Sequence, residues 1–484
     1  MRKNPFLHLH KCVYSICAFA ILPMVGIAQS GQIPLNDLSA FKTPTSNWHI
    51  VGSVTGSLTE PFKTQPGQGI LVNELDHGKN QDIFTNFQHG DINLDVDFMM
   101  PPESNSGIYL QGRYEIQLLD SWATDVETSQ DLGSVYQRWD TTRANGDFGY
   151  QGIPPRINVS KAPGLWQNIK ISFIAPKFDA SGKKIANARI VKIVLNGVTI
   201  IENAELTGPT RGSAFPDEAP MGPLRLQGDH DNVAFRMIKY DTNVTANPYD
   251  ANAPRSFGDA DRPVYVEVKG EPVVLRSFVN FEGKTLSHVA NVGYPHHISF
   301  SYDLEHGSIF QVWRGGFVDA TPMWWFRGDG TTKALGAIMP LNDGPPLAVL
   351  VNEHAAVPDT LSDQQAYRPK GYELDSLGYP TFKYLSCGVS VDDKVVPSDN
   401  GKTITRQVTV TGAGQNLYYR VAAAKDIALL TDGSYSINNF DYYIRLSSKN
   451  KTKPIVRTTA AGMELLLPVK DATKGETLAY TLIW

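Results

Sequence analysis

Cysteine is scarce: 484 residues hold three, Cys12, Cys17 and Cys387. The first residues run MRKNPFLHLHK, then an apolar stretch, then Gly26-Ile27-Ala28 before Gln29. That is the basic, apolar and small-residue order of a secretory signal peptide, with cleavage expected after Ala28. The apolar run is short for a bilayer span, which needs about 20 residues. Removing residues 1–28 leaves only Cys387, so an internal disulfide is excluded. No Cys-x-x-Cys-His is present, which excludes covalent haem, and no Cys/His spacing suits zinc. Cys387, in YLSCGVSV, reads as a buried apolar strand residue. Basic charge is also short. Loss of Arg2, Lys3 and Lys11 takes 44 basic residues to 41 against 49 acidic ones, a net charge of −8. With no basic run, nucleic acid is not an expected partner. Long 3.6-residue periods and heptads are missing too, which argues against a helical fold. The expectation is an exported bacterial protein, periplasmic or secreted, with no transmembrane segment once the signal is cleaved.

What is present is strand. Apolar and polar residues alternate in 92–98 (INLDVDF), 169–173 (IKISF), 224–227 (LRLQ) and 408–410, between clusters of Gly, Pro, Asn and Asp. Asn196-Gly197, between IVKIVL and VTII, predicts a two-residue hairpin turn. The fold class is all-β. Residues 246–261, rich in Asn, Asp, Ala and Pro, read as a linker between one domain at 29–245 and another at 262–484. A further division near 343–358 is drawn from an interruption of the strand pattern.

The stretch 105–120, NSGIYLQGRYEIQLLD, concentrates the chemistry. Period-2 alternation puts Tyr109, Gln111, Arg113, Glu115 and Gln117 on one face, with Ile108, Leu110, Tyr114, Ile116 and Leu118 on the other. Strict alternation would send Asp120 to the core face. A β-bulge at Leu118-Leu119 would return it beside Gln117, giving two carboxylates around an amide, an arrangement suited to glycoside cleavage. The strand at 224–227 likewise presents Arg225 and Gln227 together and leads to Gly228-Asp229-His230. His230 is a second candidate base or metal ligand. Asp229 and Asp231 can bind a hard cation or shape the turn, so no cofactor is required but a divalent cation stays open. Trp166 reads as a core anchor, Trp122 as either an aromatic platform for a sugar or a core residue, and Asp76, His77 and His89 as loop residues. Residues 302–330, densely aromatic around Arg314, Asp319 and Arg327, form either a second carbohydrate surface or a packed core.

Those motifs resemble a known family. NSGIYLQGRYEIQLLDSW, GSVYQ at 133–137, Pro154-Pro155, Asn158, Pro163-Gly164, Trp166, VLNGVTI and GPLRLQGDHDNVAFRMIKY follow in order over about 38–241 and look like the 3-keto-disaccharide hydrolase family. The resemblance implies a concanavalin-like jelly roll, two antiparallel sheets with a concave carbohydrate face, and action on 3-keto-glycosides. A ketone at carbon 3 acidifies the hydrogen at carbon 2, so the bond at carbon 1 can break by elimination and water can then add. Such a site needs a base, a group or metal polarising the ketone, and an acid. Glu115 and Asp120 are then candidate acid and base, and Arg113 a candidate enolate stabiliser. Asn105, Tyr109, Gln111, Gln117, Trp122, Arg225 and Gln227 are the candidate sugar contacts. Family members often show Leu-Gln-x-His; here Gly228-Asp229 precedes His230. The C-terminal half resembles uncharacterised modules of large secreted bacterial proteins, from which no activity transfers. The alternatives are a retaining hydrolysis by Glu115 and Asp120 about 5 Å apart, a non-catalytic glycan-binding protein using the same face, and a structural protein.

Overall fold

The computed structural model describes residues 30–484 except 43, 76–79, 245–262, 325–327, 343, 353, 359–360, 363–364 and 399. The expected signal peptide and linker, together with Asp76, His77 and Arg327, therefore lie outside the described residues. The architecture is all-β, as the alternating pattern predicts, with every strand pairing antiparallel.

The N-terminal half is a two-sheet sandwich. Its outer sheet runs Val198–Leu206, Ala188–Leu195, Trp166–Ile174, Ile92–Met99, Val233–Asp241, Lys63–Asn73 and Trp48–Thr55, with Ser30–Gln32 added along Val233–Asp241. The inner sheet runs Phe41–Lys42, Ile83–His89, Gly222–Leu226, Asn105–Leu110 and Tyr114–Leu119. Single bridges from Ile116 to Val135 and from Val135 to Ile153 widen its far edge. Alternation decides what lies between the sheets. Ile108, Leu110, Ile116, Leu118, Leu224 and Leu226 join Leu94, Val96, Phe98, Ile169 and Ile171 in one buried apolar cluster. Each such side chain contributes about 1.5–3 kcal/mol on burial. The opposite face of the inner sheet carries the polar side chains. The expected hairpin forms at Asn196-Gly197, both with positive φ.

The C-terminal half holds three sheets of six, four and eight strands. One apolar cluster joins them and takes in Leu347, while Ala348, Leu350 and Val357 form a separate small cluster with Leu466. The larger cluster also takes in Val51, Val72, Met99, Trp166 and Ala234 from the outer sheet, so the C-terminal half covers the convex back of the sandwich. Trp166 is core, as its position beginning a strand suggested. The aromatic stretch at 302–330 resolves toward core, since Tyr302, Phe310, Trp313 and Phe317 are buried. Cys387 is buried but lies in a turn with φ of 53°, between Pro380–Ser386 and Val389–Pro397, not within a strand.

Candidate active site

The expected single strand over 105–120 is a hairpin. Asn105–Leu110 and Tyr114–Leu119 pair antiparallel, and Gln111 and Gly112 turn the chain with φ of 54° and 65°. Glycine adopts that conformation freely; Gln111 is held there by its bonds. Its backbone N–H donates to His89 Nε2 (2.9 Å) and its side-chain amide donates to the carbonyls of His89 (3.2 Å) and Pro220 (3.0 Å). His89, expected on a loop, is fully buried at the end of Ile83–His89, and burial lowers its imidazole to about 4. Gln111 therefore belongs to the turn and is not a sugar contact. Arg113 also leaves the expected polar row: Nε donates to Asp217 O (2.6 Å), Nη2 to Asp217 Oδ1 (3.1 Å) and Nη1 to Gln111 O (3.0 Å), with the guanidinium over the Phe215 ring. It fastens the 213–220 loop to the hairpin.

The predicted bulge is absent. Pairing runs without a break from Leu110↔Tyr114 to Asn105↔Leu119, so Leu119, not Asp120, follows Gln117 on the polar face. The Asp120 carboxylate instead accepts the backbone N–H groups of Glu103 (3.0 Å) and Trp122 (3.4 Å). Its role is to cap the loop at the strand end, and the expected pair of carboxylates around Gln117 does not form. Trp122 is no open platform either: its indole donates to Trp484 O (3.0 Å) and packs against the apolar cluster of the C-terminal half.

What the inner sheet does assemble centres on Glu115. Tyr109 pairs directly with Glu115 on one side and with Arg225 on the other, so the three side chains share the concave face. Gly107 allows the carboxylate to lie across its strand, because a Cβ there would meet Glu115 Oε1 at 2.6 Å. The Tyr109 hydroxyl donates to the carboxylate and the Arg225 guanidinium stacks on the Tyr109 ring, 4.0 Å from its centroid. Arg225 also pairs with Asp82 and donates to Gly212 O (2.6 Å). Glu115 is only 3% exposed, and burial drives its carboxyl up to about 7, against the opposing pull of the Tyr109 hydroxyl, Arg225 and His230. The Glu115 backbone N–H is tied to Thr210 Oγ1 (3.0 Å).

His230 stands half-exposed at the mouth of this group, its Nδ1 2.5 Å from Asp229 Oδ1. The Asp229 bond, more than burial opposes it, holds the imidazole above its ordinary value, and Glu115 adds to that. The inserted Gly228 donates its N–H to Asp82 Oδ1 (2.9 Å), which ties the His230 loop to the partner of Arg225. Gln227, bonded through its N–H to Gly107 O (2.9 Å), leaves Oε1 without a partner. Gln117 donates to Asn105 Oδ1 (2.8 Å) beside them. Asp82, Thr210 and Gly212 carry no sequence signal as site residues, whereas Gly107, a glycine within the strand Asn105–Leu110, does. Among the described residues no three His, Cys, Asp or Glu side chains converge to hold a metal, and the Asp229 carboxylate engages His230.

Fold and face together define a concanavalin-like β-sandwich with a carboxylate, an imidazole and a guanidinium gathered on its concave sheet. Residues 37–240 match the 3-keto-alpha-glucoside-1,2-lyase-like domain. A solved structure of a proposed glycosyl hydrolase from Parabacteroides distasonis ATCC 8503 is 25% identical, with coverage of 44% of this chain and 82% of its own and a TM-score of 0.33. A second from the same organism is 18% identical, covering 43% and 98%, with a TM-score of 0.29. No curated protein matches the chain. At family level this is a carbohydrate-active, glycoside hydrolase-like enzyme.

Proposed function

We propose that the enzyme cleaves 3-keto-glycosides by elimination followed by hydration, with Glu115 as the base and His230 as the acid. The observation that carries this reading is the Glu115 carboxyl, buried against Gly107 and poised near neutral pH. A base is most effective when its pKa lies near the working pH. Glu115 takes the hydrogen at carbon 2, and the electron pair moves toward the ketone oxygen at carbon 3. Arg225 supplies the positive charge that steadies the enolate, the role first assigned to Arg113. As the enolate collapses, the carbon 1–oxygen bond breaks and the imidazolium of His230 gives its proton to the departing oxygen. Water then adds across the carbon 1–carbon 2 double bond: neutral His230 takes a proton from the attacking water as its oxygen bonds carbon 1, and Glu115 gives its proton to carbon 2, so both groups are restored and net hydrolysis results. Gln227, Asn105 and Gln117 offer amide groups to the sugar hydroxyls. A retaining hydrolysis by Glu115 with Asp120 is disfavoured by the use of Asp120 as a cap. The signal-like order of residues 1–28 supports export, which N-terminal sequencing of the mature protein beginning at Gln29 would test.

The test is incubation of the purified protein with a 3-keto-disaccharide and with its ordinary parent sugar in deuterated water, followed by NMR. Cleavage of the keto sugar alone, with deuterium at carbon 2 of the product, is expected. Cleavage of the parent alone sinks the keto-specific mechanism. Saturable binding of either sugar without turnover leaves a glycan-binding protein.

A further inference from the structure

Beyond Glu115 the concave face goes on by one more strand. Segment 133–136 pairs with the outer edge of Tyr114–Leu119: Gln117 N–H donates to Ser134 O (3.0 Å), Gly133 N–H to Gln117 O (2.8 Å) and Tyr136 N–H to Glu115 O (3.1 Å). In that register Ile116 bridges to Val135, and both are buried in the apolar cluster between the sheets. Alternation then puts Tyr136 on the concave face, directly beside Glu115. Two tyrosines of different standing therefore flank this carboxylate. Tyr109 is 1% exposed, bonded to the carboxylate and stacked with Arg225. Tyr136 is half-buried; among the described residues its ring stacks on no other ring or guanidinium and its hydroxyl makes no hydrogen bond.

Tyr136 also borders a cavity of about 240 Å³ at this edge of the sheet, together with Arg138, Gln151, Thr207, Gly208 and Thr210. Two of these lining residues touch Glu115 itself: Thr210 Oγ1 accepts its N–H (3.0 Å) and Tyr136 N–H donates to its carbonyl. Drug-sized ligands take about 300–1,000 Å³, so the space suits one smaller unit. Arg138 brings a cation to it that pairs with no carboxylate among the described residues; its Nη1 donates to Thr207 Oγ1 (2.7 Å) and Gln151 Oε1 (3.3 Å). Gly208 leaves room for the other end of that guanidinium, because a Cβ there would meet Nη2 at 2.7 Å.

We propose, resting on Glu115 as base and Arg225 as enolate support, that this edge is the leaving-group subsite and that the leaving group is a second pyranose. Arg225 and Tyr136 lie on opposite sides of Glu115 across the sheet. Carbons 1 and 3 likewise lie on opposite sides of carbon 2 in the sugar ring. With carbon 2 over Glu115 and the carbon 3 oxygen drawn to Arg225, carbon 1 points toward Tyr136. From the strand of Arg225 to the strand of Tyr136 is three spacings of about 4.8 Å, about 14 Å in all, room for two rings side by side. The second ring lays its C–H face on Tyr136 and presents its hydroxyl oxygens to Arg138. The glycosidic oxygen between the rings faces the mouth, where His230 stands.

The test compares a 3-keto-disaccharide with methyl 3-keto-glucoside, which lacks the second ring, on the full-length mature protein. In turnover the wild type should favour the disaccharide in kcat/KM by at least about tenfold, since contacts away from the reacting carbon serve the transition state. Tyr136→Ala should lose at least about tenfold more on the disaccharide than on the methyl glycoside, whereas Tyr136→Phe, which keeps the ring, should hold most of the preference. Gly208→Val, which drives a side chain against Arg138, should also cut the preference and serves if Tyr136→Ala does not fold. Binding separates the subsite from the reaction. Glu115→Gln, titrated by NMR, should bind the disaccharide at least about tenfold tighter than the methyl glycoside, and adding Tyr136→Ala should erase that difference. If the wild type turns over neither sugar, the reaction falls, while this binding preference alone upholds the subsite. Binding of neither sugar, equal affinity for both, or a preference that survives both Tyr136→Ala and Gly208→Val overturns the subsite even where the reaction stands.

Discussion

Glu115 is expensive to keep in this fold, and that cost is measurable. Its carboxyl titrates at about 7 in the folded chain against an ordinary 4.5, so the unfolded chain ionises first as pH rises. Stability is therefore full below about 4.5 and is lost progressively up to about 7, by on the order of 3 kcal/mol. Glu115→Gln should melt higher than the wild type at pH 8, and by much less at pH 4, in matched thermal scans. The same variant should lower turnover at least about a hundredfold. Asp120→Asn, by contrast, should leave turnover near the wild-type level, because that carboxylate only caps two amides. For the wild type, kcat/KM should rise with pH through about 7 as Glu115 ionises. It should fall again above the ordinary histidine range as His230 loses its proton, a bell whose limbs belong to the coupled pair.

At the scale of the element, the hairpin 105–119 shows how far alternation can be trusted. The odd-numbered residues do share a face, yet for a reason the pattern does not contain. Leu110 pairs with Tyr114, leaving three residues in the turn, and this odd number keeps Tyr109 opposite Glu115. A loop of two would have set odd against even residues. Gly112 was the legible signal for a turn, and it broke the row at Gln111 and Arg113. The bulge was inferred only to rescue Asp120, and nothing in the chain required it. Gly107→Ala tests the packing behind the site: its Cβ would displace the Glu115 carboxylate, so turnover should drop at least about tenfold, while circular dichroism stays native. His89 tests the turn. Its imidazole, at about 4 folded against 6.5 ordinarily, is neutral in the fold, so stability is full above about 6.5 and is lost as pH falls through about 4. Acid melting should therefore shift in a His89→Gln variant, with the wild type losing more stability between pH 6.5 and 4.

Across the whole molecule the N-terminal fold was legible because one face of each strand is apolar and the turns are marked by Gly and Asn. The role of the C-terminal half was not, because docking depends on which apolar residues remain on the outside of a finished sheet. Within that half Asp393, fully buried, accepts from Arg406 Nε (2.9 Å) and from the Tyr302 hydroxyl (2.8 Å). Asp393→Ala would strand the arginine and should cost about 3–5 kcal/mol in denaturant unfolding, without altering turnover per folded molecule, since it lies behind the convex sheet. That covered back also governs how the protein can be dissected. Excision of residues 30–241 would bare Val51, Val72, Met99, Trp166 and Ala234 as one contiguous greasy surface on an otherwise intact sandwich. The fragment would self-associate even with its catalytic face correctly formed, and polar replacements at those five positions would be needed to make it a well-behaved enzyme on its own.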